Sequence, residues 1–425
     1  MTRVLLVALD GSYRTGAFVE AAERLQIELV VAASGVRPLT QGPGGGLRLE
    51  PGRTRAALAA ITRAHRQRPF VAILPTDDGS VEMASIVARH LGLPGNSRGA
   101  VQATCCKAAF RTACHDAGLP TPHFRLIDLT QPTLMQIVGV RFPCVAKPLR
   151  LSASRGVIRA EDSIGLNAAL ARIGKLLENE GGKDSTHVLV EDFVAGCELA
   201  IEGLLHRGKL RILALFEKPG AMAGPYFEEN IYLTPPRFNP LWSRAIERQL
   251  AKTCQALGLR EGPVHAECRI SPTGIVFIEI ANRTVGGRCG RLLRFGSGYS
   301  LEELVLMNAV GQPPAVKLAV GAAGVMMIPV PGQGILRRVE GITAARRIPG
   351  IESVEVDVRR GQRLVPWPEG GAYPGFIFAH GVTPDAVLQA LQSAHAQLCF
   401  VIDAELPVAI NSATQATSGA LRRAS

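Results

Sequence analysis

Two glutamates, Glu267 and Glu279, stand on neighbouring apolar stretches of VHAECRISPTGIVFIEIANR, residues 264–283. Between them Pro272-Thr273-Gly274 has the chemistry of a three-residue hairpin turn, with proline opening a type I turn and glycine supplying the left-handed residue that closes it. Pairing Ser271 with Ile275 and counting outward sets Glu267 directly across from Glu279, with β-carbons roughly 5 Å apart on one face. The opposite face then carries Val264, Ala266, Cys268, Ile270, Val276, Ile278 and Ile280, which must sit on a core and so fixes where the acids point. His265 and Arg269 share the acids' face. Two carboxylates at that separation repel unless a cation lies between them, and oxygen ligands of this kind suit magnesium, an ion that also takes phosphate oxygens. The plain alternative is a solvated face whose charge Arg269 neutralises.

Two other stretches carry compatible chemistry. KPLRLSASRGV (147–157) sets Lys147 at the end of a strand and follows it with a loop of small residues ending in glycine. Such a loop lets backbone N–H groups approach phosphate oxygens while the lysine adds a point charge. In a P-loop the lysine follows the glycines and enters a helix, so this is not a Walker site, and the alternative is a generic flexible loop. In VEDFVAGCELAIE (190–202) a strand ends in two acids, a glycine turn follows, and Glu198 opens the next strand. A linker of this kind can hold a purine by its backbone groups, with an acid a few residues on accepting from ribose hydroxyls; the alternative is an acidic surface turn.

Other motif matches fail on context. GNSRG (95–99) fits G-x-S-x-G, which would make Ser97 a nucleophile, but Leu91-Gly92-Leu93-Pro94 is no full strand ahead of it. HAE (265–267) is half of a zinc-deaminase signature without the P-C-x-x-C half, so His265 reads as a neighbour of the carboxylates. GPGGGL (42–47) does not follow a strand directly and reads as a loose loop.

The elements that must position these residues alternate at first between strand and helix: TRVLLVAL, GAFVEAAERL, ELVVAAS, RAALAAITRAH, FVAILP and SVEMASIVARHLG form an α/β unit. AVQATCCKAAFRTACHDAG (100–118) reads as one helix stopped by GLPTP, where a new domain begins. FPCVAK and HVLVEDFV are strands flanking the small-residue loop and the helix SIGLNAALARIGKLLEN, and ELAIEGLLHRGKLRILALFEK is a hairpin turning through His206 to Lys209. LEELVLMNAVGQPP closes a helix, a last α/β segment runs from about 320 to 405, and the Ser/Ala/Thr-rich tail is expected to be disordered.

Composition narrows the function classes. The 425 residues, enough for about three domains, are 47% hydrophobic and 20% charged, and no apolar run approaches the ~18 to 20 residues of a membrane span. MTRVLLVALDG turns polar after one strand's length, so no export signal is read and the cytoplasm is expected. Nine cysteines without a CxxC read as reduced, mostly buried thiols. A formal charge of +11, from 47 Lys and Arg against 36 Asp and Glu, favours anionic partners. With 5% aromatics and dispersed basic residues, handling of phosphates or carboxylates is preferred over a nucleic-acid surface.

Taken in order, these pieces resemble the ATP-grasp superfamily, specifically its carboxylate–amine ligases such as the L-amino-acid (dipeptide) ligases and carnosine-synthase-like enzymes. The resemblance rests on Lys107 ahead of GLPTP, FPCVAKP, SASRGV, VEDFVAGCELAIEG, and HAECRI followed by FIEIANRTVGG; GAAGVMMIPVPGQG to YPGFIFAHG is similar to the C-terminal lid of such enzymes. It implies an α/β and α+β multidomain chain: a Rossmann-like domain over 1–100, an ATP-grasp domain over 101–310 with a nucleotide-clamping subdomain at about 120–195, a lid-like α/β domain over 311–408, and the tail 409–425.

The resemblance also implies roles. Lys107 and Lys147 would contact ATP phosphates, with Ser152, Ser154 and Gly156 forming the covering loop. Glu191 would hold the adenine amino group, the Asp192 and Val194 backbones would complete the clamp, and Glu198 would bind the ribose. Glu267 and Glu279 would ligate magnesium, two ions in all, with manganese as the substitute. Lys147 and Arg283 would be catalytic, and Glu228, Arg283, Gly286 and Gly287 would face the substrates. Position 281 departs from the family, because many relatives carry a third ligand, asparagine, where this chain has Ala281; Asn282 points to the other face of a regular strand. The implied activity passes the γ-phosphate of ATP to a small carboxylic acid and joins the acyl phosphate to an amine. A bicarbonate-using carboxylase, a non-catalytic ATP sensor and a nucleic-acid binder are the competing readings. The expected partners are small-molecule substrates, with no nucleic acid and no membrane, and a homodimer is left open.

Overall fold

The computed structural model describes residues 2–35, 46–49, 53–181, 184–220, 224–238, 241–271, 274–312 and 321–404. The Pro272-Thr273 turn, residues 42–45 of the Gly-rich segment and the tail 409–425 lie outside the described residues.

The unbroken apolar run near the start of the chain becomes an inner strand covered on both faces. Arg3–Val7 lies between Glu28–Ala33 and Ala72–Pro75 in a parallel sheet that Gly46–Arg48 extends by one strand. Parallel pairing requires crossovers, and the helices Arg14–Arg24 and Thr54–Gln67 alternate with these strands. The helix Asp78–His90 follows the last strand and starts at a tight corner, where the Asp77 N–H donates to Ser80 Oγ at 3.0 Å.

The centre is an eight-stranded sheet in the order Gly274–Ala281, Gly262–Ser271, Cys197–His206, Lys209–Glu217, Ile231–Thr234, Ala322–Met327, Gly375–Gly381, Ile351–Val356. Every pairing in it is antiparallel. Three strands of the C-terminal segment thus extend the central sheet, because Ala322–Met327 is buried along its whole length and needs a strand on each side. Gly334–Glu340 leaves this sheet to pair with Arg363–Leu364 and Cys399–Asp403. The expected hairpin between Cys197–His206 and Lys209–Glu217 forms through Arg207 and Gly208, both at positive φ (52° and 80°), the backbone a two-residue hairpin turn demands.

A separate four-stranded antiparallel sheet, in the order Phe124–Asp128, His187–Asp192, Cys144–Pro148, Ile158–Ala160, stands over the central one. The helix Ser163–Glu180 covers it with Leu166, Leu170, Ile173 and Leu177, spaced to form one apolar stripe.

Two expectations need correction. The single helix over 100–118 is two helices, Arg98–Cys105 and Lys107–Asp116, broken at Cys106, whose φ of −139° and ψ of 114° are extended. The break makes Lys107 the first residue of the second helix, where its N–H donates to Leu149 O at 2.9 Å. In the glutamate hairpin Ser271 pairs with Gly274, not Ile275, one residue out of the expected register. A β-bulge at Ile278 compensates: Cys268 pairs with Phe277 and Glu267 with Glu279, so the acids still face each other. Because the side-chain period is two, Ile275 and Phe277 take the core side, and Val276 and Ile278, expected in the core, turn to the other face.

Candidate active site

Lys147 leaves the end of a buried strand to enter a cleft between the small sheet and the central one. Its ammonium contacts the Glu191 carboxylate, which Arg111 grips from the far side through Nε at 2.8 Å and Nη2 at 3.1 Å. Burial alone would raise the pKa of Glu191, but Arg111 and Lys147 hold the carboxyl down at about 2. Arg111 also donates to the carbonyls of Phe277 (2.7 Å) and Ile278 (3.1 Å), which ties the small sheet to the bulge that turns Glu279. Neither Arg111 nor this link was legible in the motifs. One signal was present: Arg111 is four residues after Lys107 and so lies on the same helix face.

A second knot forms around Lys218, directly after the strand Lys209–Glu217. Its Nζ lies 2.9 Å from one oxygen each of Glu198, Glu229 and Glu267. Burial opposes the charge, yet Glu229 and Glu267 push the lysine pKa well above its ordinary value. Glu229 is itself raised by burial and by Glu267. The Glu198 carboxylate is further held by Arg269 at 2.8 Å, and Arg269 also donates to Val194 O at 2.7 Å. His265 lies between Glu202 (3.3 Å) and Glu267 (3.4 Å), as its place in the sequence led one to expect.

Glu279 faces another cation. Lys107 Nζ is 3.6 Å from its carboxylate and donates to Leu151 O at 2.7 Å. Burial would raise the Glu279 pKa, but Lys107 and Arg283 hold it below the usual range. Arg283 is buried and reaches Asp78 at 2.9 Å, at the start of a helix of the N-terminal unit. The backbones of Glu267 and Glu279 are paired while their carboxylates turn to different lysines. Among the described residues, the acids whose oxygens lie within 4.8 Å of one another are Glu198, Glu229 and Glu267. This all-oxygen set suits a hard divalent ion.

The expected site residues divide accordingly. Lys107, Lys147, Ser154, Glu191, Asp192, Val194, Glu198 and Glu267 line one cavity, together with Glu229 and the aromatic pair Phe193 and Phe227. Ser152 and Glu279 line an adjoining cleft with Asp78 on the other side of Lys107. Some expected contacts are already engaged. The Glu191 carboxylate belongs to its two cations, the Asp192 N–H donates to His123 O at 2.9 Å, and the Gly156 N–H donates to Pro368 O at 2.8 Å, away from the cavity. Glu228 lies outside the lining and accepts from Val330 N at 3.3 Å; Glu229, one residue on, is the acid that faces in. Gly287, at φ +60°, packs so closely that a Cβ would sit 2.3 Å from Met327 Sδ, and Gly286 lies beside Arg14. Asn282 is turned away, donating to Pro263 O at 2.9 Å and accepting from Asn96 at 2.7 Å. Ser97 is a helix cap, its Oγ accepting from Ala100 N at 3.2 Å.

Residues 140–291 match an ATP-grasp domain, and residues 326–403 match the L-amino acid ligase C-terminal domain 2. The chain carries an ATP-grasp domain. Its fold superposes on the L-amino acid ligase from Bacillus licheniformis with a TM-score of 0.78, covering 95% of this chain and 99% of that one at 23% identity. An uncharacterized protein of Sinorhizobium fredii is 25% identical over 85% of this chain and 76% of its own length. Dapdiamide A synthase of Enterobacter agglomerans is 28% identical over 37% of each chain. Among the described residues, no helix of this ATP-grasp protein is long and apolar enough to cross a membrane.

Proposed function

We propose that this protein is an ATP-dependent ligase that activates a small carboxylic acid, an amino acid in the first instance, and joins it to an amine. The observation that carries the reading is the convergence of Lys107, Lys147 and an acidic trio in one cleft between two antiparallel sheets, in a chain that continues into an L-amino acid ligase C-terminal domain.

The nucleotide would lie in that cleft, its base against the apolar walls Val145, Val157 and Ile278 and along the linker past Glu191. With the Glu191 carboxylate engaged by Arg111 and Lys147 and the Asp192 and Phe193 N–H groups by His123 O and Pro143 O, adenine recognition falls to the apolar walls and the backbone at Val194, and Glu191 acts by holding Lys147 in place. Lys107 and Lys147 would meet the phosphates, and Glu198 the ribose. Glu267 and Glu279, with Glu229 in the part that Ala281 cannot play, would hold magnesium, two ions or manganese in their place, which would neutralise charge on the phosphates. The carboxylate oxygen of the first substrate takes the γ-phosphoryl group as ADP leaves; the amine then attacks the acyl carbon and phosphate leaves. Arg283, kept charged by Asp78 and Glu279, would align the transferring group and stabilise its oxygens. The reaction would take place in the cytoplasm.

The test is a screen of amino-acid pairs with ATP and magnesium, following phosphate release and the masses of the products. Pair-dependent phosphate release with a product lighter than its two precursors by one water is expected. Release that depends on bicarbonate alone, or no release with any pair, would overturn the reading.

A further inference from the structure

Ala153 and Ser154, neither of them glycine, both hold left-handed backbone, at φ +57° and +54°. Such residues persist only where their surroundings over-determine them. Here the surroundings come from far along the chain. Trp367 Nε1 donates to Ala153 O at 2.8 Å, and the Gly156 N–H donates to Pro368 O at 2.8 Å, so two hydrogen bonds from adjacent residues bracket the strained pair. Beside them Arg155 Nε donates to Glu369 O at 3.1 Å, and the Glu369 carboxylate receives Arg172 Nη2 at 2.8 Å from the helix behind the loop. Gly371 packs on Arg155 so tightly that a Cβ would meet its Cδ at 2.4 Å. Trp367 is rooted in a cluster of its own with Val330, Leu336 and Leu364. Of these groups only Ser154 belongs to the nucleotide cavity.

We propose that residues 366–371 form an outer clasp on the loop 152–156, and that Trp367 and Glu369 are positioning residues that set how long nucleotide is retained without touching it. The inference rests on the reading of 152–156 as the phosphate-covering loop. With the loop held down, Ser154 lines the cavity and its Oγ donates to Glu229 Oε1 at 3.5 Å, so the loop closes over the acids that face it and nucleotide exchange requires the loop to lift. Lifting it breaks the Trp367 and Pro368 hydrogen bonds, and the C-terminal segment thereby gates a site built by other elements.

Trp367→Phe deletes the N–H and keeps an aromatic ring; Glu369→Gln deletes a charge on a residue exposed enough to leave folding intact. Two measurements on the full-length protein test the clasp. Release of a fluorescent ADP analogue with magnesium, followed by stopped flow, should be roughly fivefold faster in Trp367→Phe, the loss of about one hydrogen bond, and faster by a smaller factor, about twofold, in Glu369→Gln, which keeps the backbone acceptor for Arg155 and weakens only the pairing with Arg172, with KM for ATP raised and kcat not lowered in both. Hydrogen exchange of a peptide spanning 150–157, without nucleotide, should quicken by a similar factor in Trp367→Phe. Release and exchange at wild-type rates in both variants would overturn the clasp. Should the wild-type protein fail to bind the analogue at all, the ligase reading falls, and exchange at residues 150–157 still decides the clasp.

Discussion

Removing the Lys218 ammonium leaves the Glu198, Glu229 and Glu267 carboxylates converging without their shared counter-ion. An uncompensated buried charge costs on the order of 3 to 5 kcal/mol, so Lys218→Met should lower the urea midpoint sharply. A divalent cation held by Glu229 and Glu267 would take the place of the ammonium, and magnesium should raise the melting temperature of Lys218→Met by more than that of the wild type; equal shifts would show that the ion binds elsewhere. Glu279 behaves differently. Its side chain is 30% exposed and 3.6 Å from Lys107, so Glu279→Ala should change stability by no more than about 1 kcal/mol while lowering kcat at least about a thousandfold. Phosphate release and a denaturation curve on one preparation separate the two effects. At this scale the sequence was informative about residue type and less so about partners. An acid between apolar strands was visible at positions 198, 267 and 279, but the cation each one meets depends on which strands adjoin.

The glutamate hairpin shows what an element adds to its sequence. The turn chemistry gave a register one residue out, and the bulge at Ile278 brought Glu267 and Glu279 opposite each other all the same. Local propensity does not foretell a bulge whose carbonyls are held by Arg111, on a helix more than 160 residues earlier in the chain. Arg111→Met would remove both the grip on that bulge and the main cation beside Glu191, and should cost about 3 to 5 kcal/mol. The same substitution should alter acid stability. Glu191 titrates at about 2 in the folded protein against an ordinary 4.5. Its contribution is therefore complete above about pH 5 and is lost as pH falls towards 2, on the order of 3 kcal/mol in all. Urea midpoints between pH 7 and 3 should fall less steeply in Arg111→Met than in the wild type. The helix break at Cys106 belongs to the same scale: the run 100–118 is helical throughout in pattern, and the structure interrupts it where the Lys107 N–H turns to Leu149 O.

Across the whole molecule, the N-terminal unit meets the cleft through two adjacent acids: Asp77 pairs with Arg14, which also donates to Val285 O, and Asp78 pairs with Arg283. Asp78→Asn should slow the ligation step about tenfold to a hundredfold while leaving KM for ATP near the wild-type value, because it loosens Arg283 without touching the nucleotide walls. A rise in KM for ATP with unchanged kcat would place Arg283 on the nucleotide instead. By itself, the sequence determined the parallel N-terminal unit, the antiparallel hairpins, and the places of Lys147, Glu198, Glu267 and Glu279 as charges set on apolar strands, since these follow from side-chain periodicity; Lys107 was singled out only by the family resemblance. Tertiary structure alone decided that Lys218 gathers three acids, that Glu229 and not Glu228 faces the cleft, that the Glu191 carboxylate serves Lys147, and that C-terminal strands complete the central sheet. Each of these depends on contacts between residues far apart in the chain, where direction and distance are set by how sheets stack and not by local pattern.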